Sequence, residues 1–119
     1  MLIGTQPPPA GTDAAISVVS IAALHFGLLV AADDAARALR AARLGSVEAR
    51  FPDPLILDDR VAREWGRLQA AVALRGGTPR RRSSDLAIAA TANVHGATLL
   101  THNLKDFDII ADLVSVQAP

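Results

Sequence analysis

The chain has no cysteine, so neither a disulfide scaffold nor a thiolate-held metal can organise it, and a reducing compartment suits it. Aromatics are scarce too: Trp65 and three phenylalanines are all it carries in 119 residues. The core must therefore come from Ala, Leu, Ile and Val, which favours closely packed helices against a small sheet. A net charge of either sign is also missing. Twelve basic residues balance twelve acidic ones, so no overall basic field draws in nucleic acid. The one dense basic cluster is Arg80-Arg81-Arg82. What the chain does have is apolar content: half its residues are hydrophobic, which excludes a disordered chain. Its length has room for a single domain.

From Ala14 to Ala32 no residue is charged, a run that approaches the length of a bilayer span. Ser17, Ser20, His25 and Gly27 interrupt it, and no Lys or Arg precedes it as a signal peptide would require. The run reads instead as a buried helix of a small domain. The expected setting is the cytoplasm, without membrane contact.

Residues 1–15, with Pro7-Pro8-Pro9 and Gly11, read as an irregular lead-in, because successive prolines fit neither a helix interior nor a central strand. A domain over 16–119 follows. Ser17 is placed to cap a helix running to about Val30, and Asp33-Asp34 opens a second. Phe51-Pro52-Asp53-Pro54 stops that helix, and Leu55-Ile56-Leu57 reads as a short buried strand. Asp58 or Asp59 caps a third helix whose stripe is Val61, Trp65, Leu68 and Val72. After Gly76-Gly77-Thr78-Pro79, a helix from about Asp85 to Val94, a strand over Ala97 to Thr101, a short helix from Lys105 to Ile110 and a strand at Val114-Ser115-Val116 are expected. Strands and helices in alternation predict an α/β fold with a small parallel sheet.

Open parallel sheets bind ligands at the carboxyl ends of their strands. Thr101-His102-Asn103 sits at such an end, and Asp85 opens the preceding helix. Together they can bring oxygen ligands near each other. On the residues alone, a first-turn acid and a turn residue are the simpler account. His25, His95 and His102 are too scattered for a zinc pattern, and His95 fits a helix C-terminus.

Three segments bear a resemblance that alters this weighing. Asp85-Leu86-Ala87-Ile88-Ala89-Ala90 resembles the Asp-x-x-Ile-Ala-Ala segment of VapC-type PIN domains. Gly96 to Phe107, containing Leu99-Leu100-Thr101-His102-Asn103 and Asp106-Phe107, is similar to their Gly-x-x-Leu-Val-Thr-x-Asn-x-x-Asp-Phe segment. Ser17 to Gly27 resembles their Ser-x-x-Thr-x-Ala-Glu-Leu-x-x-Gly segment. The three occur in the family's order and span nearly the whole chain.

The resemblance implies a PIN-like three-layer α/β/α sandwich and the toxin of a type II toxin–antitoxin module, an endoribonuclease dependent on Mg²⁺ or Mn²⁺. Such an ion takes hard oxygen ligands and activates water against a phosphodiester. Carried over by residue, Asp85 and Asp106 are the expected metal ligands, with Asn103 beside them as a catalytic group. Thr101 matches the threonine that orders the family's loop and is an expected substrate contact, while Arg80, Arg81 and Arg82, which precede Asp85, are either contacts to RNA phosphates or a solvated basic loop. A cognate antitoxin and a second copy of the chain are the other implied partners, with Phe26 and Leu29 in part at the interface and the rest of the first helix's apolar face in the core.

Two departures weaken that expectation. The family's N-terminal strand ending in Asp is not recognisable; Asp13 is the only acid before the first matched segment. Ala23 stands where the family has Glu. The first strand is therefore expected to be missing, as in a truncated gene product or one with a start codon placed too far downstream. Mg²⁺ should bind weakly if at all, and activity should be impaired. The rival reading is a catalytically inactive PIN-fold protein that binds an antitoxin.

Overall fold

A computed structural model describes residues 1–4 and 14–119 of the chain. Pro7-Pro8-Pro9, Gly11 and Asp13 lie outside the described residues. Each early helix begins at the cap its sequence provides. The Ser17 hydroxyl accepts from the Val19 N–H and starts α1, Val18–Leu29. The Asp33 carboxylate accepts from the Ala36 N–H and starts α2, Asp34–Arg50. The Asp58 carboxylate does the same for the Val61 N–H at α3, Asp59–Leu74. Each cap satisfies a backbone donor that the first helical turn would otherwise leave free. A 3₁₀ turn at Pro79–Arg82 leads directly into α4, Ser83–Val94, with Arg82 at its cap. Gly76 and Gly96 take positive φ of 86° and 60° just beyond α3 and α4, where only glycine is unstrained.

The core is built around α4. Every residue from Leu86 to Ala92 is buried. Its alanines let α3 approach closely, and Val61, Leu68 and Val72 close that face. Leu99, Phe107, Ile110 and Val114 belong to the same core. Trp65, expected in the core stripe, is half-buried and donates its indole N–H to the Ser83 carbonyl at 3.0 Å, tethering the start of α4 to α3.

The sheet has four strands, and its first member corrects the expectation of an irregular lead-in. Leu2–Gly4 forms β1 and Ala14–Ala15 forms β2; Thr98–Leu100 and Val116–Gln117 form β3 and β4. The order is β2-β1-β3-β4, so β1 has an interior place. It runs antiparallel to β2 and β3, while β3 and β4 are parallel, which makes the sheet mixed rather than all parallel. The physical reason is the edge of β3: an unpaired row of amides there would be exposed, and Leu2-Ile3 covers it. Ile3 is 3% exposed and joins the core.

Two further expectations fail. Leu55-Ile56-Leu57 is not a strand; Leu55 makes one bridge to Ser17, and Ile56 points outward at 64% exposure. The first helix is not mainly core either, since Ser20 is its one buried residue. It packs beside α2, with His25 and Glu48 2.9 Å apart and the Arg40 guanidinium on the Gly27 carbonyl. Its far side stays open. Among the described residues no helix is long and apolar enough to cross a membrane.

Leu68 is fully buried between α3 and α4. Leu68→Ala should cost about 3 kcal/mol, the cost of lost burial plus an unfilled cavity. Chemical denaturation of the two proteins checks this.

Candidate functional site

Three elements meet at the exposed end of α4. Asp85 is half-buried in its first turn, where the helix dipole favours an anion. The 3₁₀ segment Leu104–Ile110 brings Asp106 nearby, and the Pro79–Arg82 turn brings Arg82. The Arg82 guanidinium lies 2.5 Å from the Asp106 carboxylate, an ion pair that neutralises one of the two expected ligands. Among the described residues Asp85 has no such partner. Burial pushes its carboxyl above the ordinary carboxylate range, the Asp106 charge adds to this, and Arg82 and the Met1 amine oppose it.

Other expected residues fall into separate roles. Thr101 is 3% exposed, and its hydroxyl accepts the Asn103 N–H at 3.1 Å, so it orders the loop from beneath, as the resemblance implies. Asn103 is exposed at the cap of the following 3₁₀ segment and its side chain makes no capping bond. Arg81 and Arg82 line a cavity of about 300 Å³ together with Lys105, Asp106 and Asp108. Arg80 is exposed and is not among that cavity's lining residues.

Asp85 opens onto a different and larger cavity, about 460 Å³. Ser20 and Ala23 of α1, Arg43 and Arg50 of α2, and Ser84 of α4 line it with Asp85. Val19, Val47, Phe51 and Ile88 supply apolar walls. The residues do not fit a resident divalent cation: no cluster of three or more His, Asp or Glu side chains converges among the described residues. Asp85 and Asp106 line different cavities, with Arg82 paired to one of them.

No protein-family model matches the chain. A curated relative, ribonuclease VapC5 of Mycobacterium tuberculosis, is 38% identical over 103 residues, covering 87% of this chain and 73% of that protein. The chain belongs to the VapC family. The crystal structure of VapBC-5 from the same organism, a member of the VapBC toxin–antitoxin systems, superposes with TM-score 0.75 at 36% identity, over 87% of this chain and 79% of that one. VapBC2 from Rickettsia felis, solved bound to a DNA fragment from its promoter, shares the fold at TM-score 0.73 and 23% identity, over 88% and 74% of the chains. VapBC-1 from nontypeable Haemophilus influenzae does so at 0.70 and 22%, over 87% and 72%.

Within the VapC fold, then, Ala23 and Asp85 line the same cavity. Sequence reading missed Ser20, Arg50 and Phe51 as lining residues. A signal for the arginines was present: Arg43 and Arg50 are seven residues apart, two turns on one face of a helix.

The raised Asp85 carboxyl has a direct consequence. Folding favours its neutral form, so the charged form costs stability above the folded pKa, and that cost vanishes below the ordinary carboxylate range. Asp85→Asn should therefore melt higher than the wild type at pH 7, with the gap closing as the pH falls towards 3. Thermal melts across that range check it.

Proposed function

We propose that this VapC-family chain is an RNA-directed toxin of a type II toxin–antitoxin module whose cation site is too depleted for efficient phosphodiester hydrolysis. One observation carries the reading: of the two acids at the site, Asp85 shares its cavity with a methyl group at Ala23, and Asp106 is engaged by Arg82. Affinity for Mg²⁺ or Mn²⁺ follows the number and charge of oxygen ligands. Asp85, Asp106 and Asn103 are the groups that would approach RNA, with Arg81 and Arg82 beside them.

The antitoxin is the second partner. Phe26, Leu29, Val30 and Leu39 are exposed on the α1–α2 hairpin, Phe26 at 68% and Leu29 at 77%. An apolar surface of this kind marks an interface, and the solved relatives are toxin–antitoxin systems. A protein that only sequesters antitoxin would use the same surface, and the Arg82–Asp106 pair favours that variant of the reading. The cysteine-free composition agrees with a cytoplasmic setting.

Purified protein should cleave single-stranded RNA slowly in Mg²⁺ or Mn²⁺ while forming a tight complex with the product of an adjacent small gene. Robust cleavage that disappears in Asp85→Asn would contradict the impairment. Ala23→Glu adds one carboxylate beside Asp85 and should tighten Mg²⁺ binding by about tenfold, read by titration calorimetry.

A further inference from the structure

The cavity beside Asp85 has the charge balance of an anion site. Arg43 and Arg50 line it against a single carboxylate, Asp85. Among the described residues neither arginine takes part in an ion pair, unlike Arg37, Arg60, Arg63, Arg67, Arg75 and Arg82. Their Cα atoms are about 10 Å apart along the α2 axis, and the long side chains can converge over that distance. Arg50 lies above the Phe51 ring at 5.1 Å from its centroid, which supports the guanidinium from one side.

An independent observation comes from α1. Ser20 lines the same cavity at 7% exposure, and its hydroxyl is buried with no hydrogen-bond partner among the described residues. Buried hydroxyls ordinarily find one. A ligand oxygen would supply it. The volume of about 460 Å³ is within the usual range for small-molecule sites, roughly 300–1,000 Å³. The cavity's walls at Val47, Phe51 and Ile88 are apolar, which suits a flat ring better than a hydrated inorganic ion.

We propose that this cavity binds the phosphate of a nucleotide without a metal ion. Arg43 and Arg50 hold the phosphate, since guanidinium forks match its oxygens. The Ser20 hydroxyl donates to it, the base rests against Val47 and Phe51, and Asp85 accepts from a sugar hydroxyl or a base amino group. The preference for an anion stands on the cavity alone; the choice of a nucleotide over other organic phosphates rests on the RNA-directed reading above. Loss of the glutamate at Ala23 and the gain of an anion site are then one change, because a carboxylate there would neutralise an arginine.

The test is binding in EDTA, so that cation affinity and cleavage do not enter. Adenosine monophosphate, adenosine and a short 2′-O-methyl oligonucleotide are titrated into the full chain by calorimetry. The expected result is binding of the phosphate-bearing probes, with adenosine at least tenfold weaker. Tighter binding of the oligonucleotide identifies an RNA strand as the source of the phosphate; equal binding identifies a free nucleotide. Arg43→Ala and Arg50→Ala should each weaken binding by about tenfold, a charged hydrogen bond being lost, and Arg43→Lys should recover part of it. Arg63→Ala, an exposed arginine paired with Asp59 outside the cavity, should change nothing. Ala23→Glu should weaken the phosphate while it tightens Mg²⁺. Binding that requires Mg²⁺, binding indifferent to both arginines, or equal affinity for adenosine overturns the proposal. Unchanged thermal melts of the variants establish that folding is not the cause. Slow cleavage with no binding in EDTA would defeat this inference and leave the functional reading standing.

Discussion

The burial of α4 on all sides sets the terms for everything around it. A helix with no solvent face from Leu86 to Ala92 can only be held by close neighbours, and its alanines permit that closeness at little cost in side-chain entropy. α3 packs along it, and β3, α1 and the Pro79–Arg82 turn also touch it. Because the helix cannot shift, its first turn is fixed, and with it the position of Asp85. The Trp65 indole bond to Ser83 adds a directional tether at the same end. The site is thus an outcrop of the core, where a carboxylate emerges at the rim of an apolar interior.

That position explains the electrostatics. At a rim, desolvation penalises the charged form of Asp85, and the nearby Asp106 charge adds to the penalty. A bound divalent cation is the usual compensation for such crowding of acids. Here the compensation comes from within the protein, through Arg82 on Asp106 and, at Asp85, through Arg82 and the Met1 amine. The charge balance of zero over the whole chain conceals this local arrangement, in which two arginines share the larger cavity with one carboxylate. Ala23 is the hinge of that difference, since a glutamate there would tip the cavity back towards cations.

How much could be read in advance differs from element to element. The caps Ser17, Asp33 and Asp58 and the stops at Phe51-Pro52 and Gly96 were legible, because helix ends are decided by local hydrogen bonding and backbone freedom. The stripe of α3 was legible for the same kind of reason, its period being that of the helix. Leu55-Ile56-Leu57 was misread because three apolar residues do not announce whether a partner strand lies alongside. The role of Leu2–Gly4 was hidden for the converse reason: a three-residue strand gains its stability from the edge of β3, ninety-odd residues away in the chain. Similarly, nothing local to α1 tells that most of its apolar residues would face outward.

The sequence by itself determined the helices and the α/β class, since each rests on spacing within a short segment, and its resemblance to a known family determined the family and pointed to Asp85 and Asp106. Only the tertiary structure decided that the sheet is mixed, that Asp106 is taken up by Arg82, and that Arg43, Arg50 and Ser20 share a cavity with Asp85. These are contacts between segments distant along the chain, and the energies that select them, burial and charge pairing, depend on distances that no local pattern encodes.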